Sequence, residues 1–522
     1  MYKKFLSYFR RIDKYQLSVI LIAILAFAIR FYDFSGRWGI GGDSARDAII
    51  GLEALRRHQL PLMGPFSSAG PFVTGGIYYW LTMASYMIFP FLISAPWVIT
   101  GLVSVLSVVL LMYLGKLLIG KRFSIFLGIL AMLSPQYVGI ALELSNPSFV
   151  IIFSILTIIF FVKLWQKNKA IFSFLMGLSI GLAINMHYEA INLLIFIPAV
   201  FFIPQTSWRN KIIYFLFACF GVFVPSFPIL FWDSHQNFAN VRNILDYFLI
   251  GQYRIYVPNS WRLFLFKYFP QYWSIDVGNY LLSGLILSIL SGIAFVVSIF
   301  RRKISSLMLT LVIIFFILII MNKSYRGERS DNYMLYFSPF ILIFTSYLIY
   351  QFFTFKNKVI KFFGLILLLV VIILDSISLC SLLIHKNILA WDNTIIKALY
   401  ERYPNQKFSL YDYKHQAYEF SMSLSLLLEK ENKLDINGVK IGVNCHGKDC
   451  PDKLHTVLMQ PARIVDLSAV DPKKLNPAVG LWINVNPSSV YDNQVGWLNQ
   501  YKLKSTFTFS FEKYIIGRKG KI

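Results

Sequence analysis

Residues 15–34 read YQLSVILIAILAFAIRFYDF, and residues 41–47, which soon follow, read GGDSARD. An apolar run of about 20 residues is the length at which a helix spans the hydrocarbon core of a bilayer. The chain therefore emerges at the far interface close to Gly41, which stations Asp43 and Asp47 at a membrane surface. Where the intervening residues are helical, the spacing of four puts both carboxylates on one face, with Arg46 one residue away. An interfacial helix capped by Asp43, its polar residues simply facing water, has the same pattern.

Composition sets the class. Of 522 residues, 57% are hydrophobic, 17% aromatic and only 15% charged, which identifies an integral membrane protein. A net charge of +24 would suggest nucleic acid in a soluble protein. Here a bilayer accounts for it without nucleic acid, because cytoplasmic loops collect Lys and Arg and anionic headgroups attract them. Lys3, Lys4, Arg10, Arg11 and Lys14 precede the first apolar run, as in a signal peptide. The run is too long and lacks a small-residue cleavage site, so it reads as an uncleaved anchor.

Further apolar segments fall at 95–118, 123–140, 148–166, 170–186, 188–205, 211–232, 279–300, 304–321, 335–353 and 358–384. The connections alternate between basic and non-basic. The basic ones carry Lys121 and Arg122; Lys163, Lys167 and Lys169; Arg209 and Lys211; Arg301, Arg302 and Lys303; and Lys356, Lys358 and Lys361. All fall on the cytoplasmic side if 77–92 does not cross, and crossing there would invert every later loop. That segment, rich in aromatics and holding Pro90, is expected to lie along the outer surface as part of a long first loop, 35–94. The count is about eleven spans, with the N-terminus inside and the C-terminal region outside the cell membrane.

Three outer loops break the positive-inside pattern. The first holds Arg37, Arg46, Arg56 and Arg57; the second Arg242, Arg254, Arg262 and Lys267; the third Lys323, Arg326 and Arg329. A phosphate at the outer interface would explain them, since Arg forms bidentate charge-assisted contacts with phosphate oxygens. Pairing with nearby Asp and Glu, or plain solvation, explains them equally well.

Several short motifs follow in a telling order. Gly42-Asp43-Ser44-Ala45-Arg46-Asp47-Ala48 is followed by Leu62-Met63-Gly64-Pro65, Gly75-Gly76-Ile77-Tyr78-Tyr79-Trp80, Ser145-Asn146-Pro147, Met186-His187-Tyr188 and Phe231-Trp232-Asp233-Ser234-His235. Across roughly residues 15–350 the chain resembles polyprenyl-phosphate-dependent glycosyltransferases of the GT-C superfamily, akin to protein O-mannosyltransferases and lipid A aminoarabinose transferases. The resemblance implies that a first-loop Asp acts on the acceptor, and it maps to Asp43. Some relatives carry a second acidic residue after the third span, where this chain has Asn146, with Glu143 nearby.

The chemistry so implied moves one sugar from a polyprenyl-phosphate donor to a glycan, lipid or protein acceptor on the outer face. A hydroxyl is a weak nucleophile until a base shares its proton, and Asp43 is the candidate base. Arg or Lys assists departure of the lipid phosphate. The candidate substrate and phosphate ligands are Arg46, Asp47, Arg56, Arg57, Tyr78, His187, Glu189, Asp233, His235, Arg326 and Arg329. His187 and Glu189, at a short connection between two segments, also suit a divalent metal, or serve only as a polar turn. Asp375, inside the last span, is expected to hydrogen-bond to a neighbouring helix. Cys219 and Cys380 lie in apolar segments and read as packing residues.

Beyond His385 the hydropathy falls. Strands are predicted at 407–413, 439–443, 481–485 and 506–516, and a helix at 417–429, within a C-terminal α+β domain. Cys445 and Cys450 suit a local disulfide, with a metal site as the alternative. The expected architecture is an all-α polytopic membrane domain, 1–385, and an extracytoplasmic α+β domain, 386–522. A transporter or flippase, or a ligase for whole polyprenyl-linked glycans, is the competing reading. A transporter keeps its polar sites near the bilayer midplane, whereas here polar clusters sit at the outer ends of spans.

Overall fold

A computed structural model describes residues 13–67, 72–250, 260–325, 331–384, 389–412, 418–435, 438–443, 456–458 and 463–466. All eleven apolar segments are helical. The long ones are α1 (Lys14–Phe31), α4 (Ala95–Leu118), α7 (Val150–Lys167), α9 (Trp208–Ser234), α12 (Leu281–Phe300), α13 (Ser306–Ser324), α14 (Ser338–Thr354) and α15 (Lys358–Ile384). These eight, some extended by a short adjoining turn, are long and apolar enough to cross a membrane, which makes the chain a multi-pass membrane protein. A bent pair, α5 (Lys121–Leu133) and α6 (Pro135–Leu142), makes a ninth candidate span. Two shorter segments complete the set: α8 (Ala170–Met186) and Tyr188–Phe202, whose first eight residues are a 3-10 helix.

The bend between α5 and α6 is 50°. Pro135 disfavours a helical Ser134, whose backbone is extended, so the last carbonyls of α5 lose their helical partners. Arg30 of α1 supplies replacements. Its guanidinium donates to the carbonyls of Ala131 (3.3 Å) and Met132 (3.2 Å), and to Ser104 Oγ (2.8 Å). A buried cation is tolerated here because its donors satisfy backbone groups that lipid could not.

Helices α8 and α9 pack at backbone distance. A Cβ on Gly177 would stand 2.0 Å from the Ala218 carbonyl oxygen, and one on Gly221 2.3 Å from that of Phe174. Gly177 and Gly181 form the small-residue stripe that close membrane packing requires.

The basic connections gather at one end of the bundle. Lys121 pairs with Asp13 (2.7 Å), Gln166 donates to the Leu117 carbonyl, and Thr206 donates to Asn168 Oδ1. Phe126 stacks on Phe353, and Arg301 lies over Phe355. At the opposite end Gly39 donates to the Leu142 carbonyl, Asn146 to the Met186 carbonyl, and His187 stacks on Tyr333.

The first loop folds at that second end. It comprises α2 (Gly42–Arg56), an antiparallel pair β1 (Met63–Phe66) and β2 (Val73–Gly75), and α3 (Ile77–Ile88). At 12 residues, α3 is about 18 Å long, too short to cross the roughly 30 Å hydrocarbon core. One face of it packs into the protein. Tyr78, Tyr79, Thr82, Ser85 and Tyr86 are buried, and Thr82 fills the space beside Gly51 of α2. Cys219 of α9 and Cys380 of α15 are exposed, which corrects their reading as packing residues.

Beyond α15 come α16 (Leu389–Arg402), β3 (Phe408–Asp412), α17 (Tyr418–Lys430), β4 (Val439–Val443), β5 (Thr456–Leu458) and β6 (Arg463–Asp466). The sheet order is β3-β4-β6-β5, with β3 and β4 parallel and the other pairs antiparallel. The expected strands at 407–413 and 439–443 and the helix at 417–429 are present. Helix α16 and strands β5 and β6 carried no signal strong enough to be read. The strands expected at 481–485 and 506–516, and Cys445 and Cys450, lie outside the described residues.

Candidate active site

Helix α2 begins at an extended Gly41, whose N–H donates to Ser44 Oγ (2.8 Å). Gly41 and Ser44 thus do the capping, and Asp43 is not the cap of an interfacial helix. Asp43 sits in the first turn, where the helix dipole favours negative charge. Arg46, nearly buried, reaches both acids: Nη1 lies 2.7 Å from Asp43 Oδ1 and Nε 2.8 Å from Asp47 Oδ1. The two carboxylates differ sharply in surroundings, with side-chain exposures of 73% for Asp43 and 2% for Asp47. Burial raises the Asp47 carboxyl above the usual carboxylate range, although Arg46 works against the shift. Tyr79 Oη also donates to Asp47 (3.2 Å).

Asp43 opens into a cavity of about 490 Å³. The walls come from five parts of the chain: residues 39–47, the β1–β2 pair, residues 143–147, residues 187–189, and Tyr333. Glu143 follows α6 and is held beside the first loop by the Gly39–Glu143 bridge. The surrounding protein and then the charge of Asp43 raise its proton affinity. Asn146, the residue at which the resemblance raised the question of a second acid, spends its amide on the Met186 carbonyl (2.5 Å). Glu143 is the acid that this stretch contributes to the cavity.

His187 and Glu189 pair through Nδ1 and Oε2. Tyr333 stacks on the imidazole with ring centroids 4.5 Å apart, and Tyr325 donates to Glu189 Oε1 (3.3 Å). Among the described residues no three His, Cys, Asp or Glu side chains come together closely enough to hold a metal ion.

Of the residues singled out from sequence, Asp43, Arg46, Asp47, His187 and Glu189 line one cavity. Tyr78 stands behind it, buried against Tyr79 and Phe149. Arg56 and Arg57 lie at the far end of α2, paired with Glu429 and Glu53. Asp233 accepts from the backbone N–H groups of Asn240 (2.8 Å) and Val241 (2.9 Å), capping α10 (Ala239–Leu245). His235 is exposed, its Nδ1 against the Phe231 carbonyl. Arg326 and Arg329 lie outside the described residues. Tyr333 and Thr74 are wall residues that the sequence did not mark, since nothing in their local pattern separates them from ordinary loop residues, whereas Ser145 belongs to the Ser145-Asn146-Pro147 motif.

Residues 75–232 match the family described as Dolichyl-phosphate-mannose-protein mannosyltransferase. Among solved structures the chain is similar to ArnT from Cupriavidus metallidurans in the apo state, at 14% identity and a TM-score of 0.59, over 86% of this chain and 97% of that one. ArnT bound to undecaprenyl phosphate aligns at 12% identity with the same TM-score. The chain has the GT-C fold. Another GT-C neighbour is the archaeal oligosaccharyltransferase AglB from Archaeoglobus fulgidus, in complex with an inhibitory peptide and a dolichol-phosphate. It aligns at 13% identity and a TM-score of 0.52, over 80% of this chain and 63% of that one. Comparison with curated protein sequences finds no match. The stretch matched to the mannosyltransferase family takes in Tyr78, Glu143, His187 and Glu189, but begins after Asp43.

Proposed function

We propose that this GT-C protein is a membrane glycosyltransferase that moves a single sugar from a polyprenyl-phosphate donor to an acceptor at the outer face. Asp43 is the general base. The observation that carries the proposal is a carboxylate open to a cavity at the end of the bundle opposite the basic loops, and pinned there by Arg46. The lipid phosphates bound to ArnT and AglB support the donor class.

The acceptor hydroxyl passes its proton to Asp43 as its oxygen bonds to the anomeric carbon. The bond from that carbon to the phosphate oxygen breaks, and its electron pair leaves with the polyprenyl phosphate. Arg46, already shared by Asp43 and Asp47, orients the base. Arg326 and Arg329 are the proposed source of positive charge for the leaving phosphate. Glu143 lines the same cavity, within which it can hydrogen-bond a sugar hydroxyl. A transporter would place its polar site near the midplane, and the gathering of Asp43, Asp47, Glu143 and Glu189 at one end of the bundle disfavours it.

Purified protein supplied with a panel of polyprenyl-phosphate sugars should transfer a single sugar, and Asp43→Asn should lower turnover by about 10²-fold or more. Transfer only from lipid-linked oligosaccharides would make the protein a ligase. Near-normal turnover in a folded Asp43→Asn protein would remove Asp43 from the chemistry.

A further inference from the structure

Helix α2 has two working ends. Its first turn carries Asp43, and 13 residues later its last turn carries Arg56, about 20 Å away along a rigid rod. At that second end the helix meets α17 of the C-terminal region. The Arg56 guanidinium grips the Glu429 carboxylate and also donates to the Glu429 backbone carbonyl (2.6 Å). Glu429 is 3% exposed. Glu53 sits in the same cluster, 2.5 Å from Arg57 Nε and 3.8 Å from Arg56 Nη1. The neighbouring Lys430 donates to the Pro90 carbonyl and lies over the Tyr86 ring, which ties α17 to the α3–α4 connection as well. Ile93 of that connection packs on the apolar cluster formed by α16, α17 and β3.

We propose that the C-terminal region clamps the site helix, and that Glu429 is a positioning residue for Asp43, acting through Arg56. A buried carboxylate held by a forked guanidinium fixes orientation as well as distance, unlike a solvated surface pair. Removing Arg56 leaves the buried Glu429 carboxylate without its guanidinium, so that side of the contact cannot be loosened cheaply. Asp43 rides on the first turn of α2, whereas Glu143 and His187 stand on other elements. A slide or rotation of α2 therefore moves the base relative to the rest of the cavity. Arg56 thereby acts in a different capacity from the phosphate ligand that the sequence suggested.

The kinetic part of the test rests on the proposed sugar transfer, and a second measurement does not. Full-length Glu429→Ala and Arg56→Ala should each lower kcat by about tenfold or more, with the donor KM changed by less than about twofold. Glu429→Gln, which keeps the hydrogen-bonding shape, should fall much less. The charge-swapped pair Arg56→Glu with Glu429→Arg should recover most of the kcat lost in either single swap. Hydrogen exchange of the amides of residues 48–57 should quicken in both alanine variants while that of α4 stays unchanged. Unchanged exchange in α2, or exchange quickened equally throughout the protein, would overturn the clamp. A raised donor KM in Arg56→Ala alone, with kcat intact, would return Arg56 to the phosphate. If no sugar donor supports transfer, the proposed function fails, and the exchange measurement alone decides the clamp.

Discussion

Asp43 and Asp47 stand four residues apart on one helix, share one arginine and line one cavity, yet Asp43 is largely exposed and Asp47 almost wholly buried. Asp47 accepts from Arg46 and Tyr79 in a buried setting, so its task is to hold Arg46 in place. Asp47→Asn should lower stability by about 1–3 kcal/mol, the usual scale for a buried group left with a poor partner. Turnover should fall less than in Asp43→Asn. Thermal unfolding and kinetics measured side by side check this, and an unchanged melting temperature would refute the supporting role. Glu143 adds a titration. Desolvation by the protein around the cavity and the charge of Asp43 both raise its carboxyl above the usual glutamate range. Asp43→Asn removes the second cause and should move the Glu143 midpoint down. The pH dependence of carbodiimide labelling at Glu143 reads this directly. Identical midpoints in the two proteins would mean that the carboxylates do not sense one another.

Close helix packing and capping decide how the elements carry the site. Gly177 lets α8 approach α9 so closely that a side chain would meet the Ala218 carbonyl. Gly177→Leu should part the two helices and disturb His187, which directly follows α8. Reduced yield of folded protein, with activity lost in what remains, is the expected outcome in detergent-purified material. Asp233 is a capping residue in the structure. Its carboxylate holds the first turn of α10, and Asn240 in that turn bonds both backbone groups of Val73 in the cavity-wall strand. Asp233→Ala should cost about 1–2 kcal/mol of stability, the scale of a lost helix cap. A large change in turnover without any change in unfolding would instead argue for substrate contact.

For the whole molecule, the gathering of basic loops at one end and the cavity at the other makes an orientation testable. A reporter fused after Leu118 should be cytoplasmic and one fused after Ile384 extracytoplasmic. A cytoplasmic signal from the second would place the cavity on the wrong side for an outer-face acceptor. The contact between α2 and the C-terminal region should also give stability a pH dependence. Burial raises the Glu429 carboxyl to about 7. The folded state therefore binds this proton more tightly than the unfolded chain, whose glutamate titrates near 4.5. Its stabilising contribution is complete below about pH 4.5 and is lost as pH rises through about 7. Thermal unfolding between pH 5 and pH 8 should show this decline, and Glu429→Gln should flatten it.

The sequence alone determined the membrane class, the eleven apolar segments, and Asp43, Arg46 and Asp47 as neighbours. Each of these depends on local pattern: composition for the class, run length for a span, a spacing of four for one helix face. The GT-C resemblance was also legible, because it lies in the order of motifs along the chain. Tertiary structure alone decided which polar residues face the cavity. Glu143 enters it because Gly39 pairs with the strand-like end of α6, while Asn146 turns to a carbonyl and Asp233 to a helix start. Arg56 and Glu429 are 373 residues apart in the chain, a separation over which no periodicity carries information. Chain pattern reports which face an element buries, but the partner that fills that face is set by packing between distant elements, where a side chain's role is fixed by what it meets.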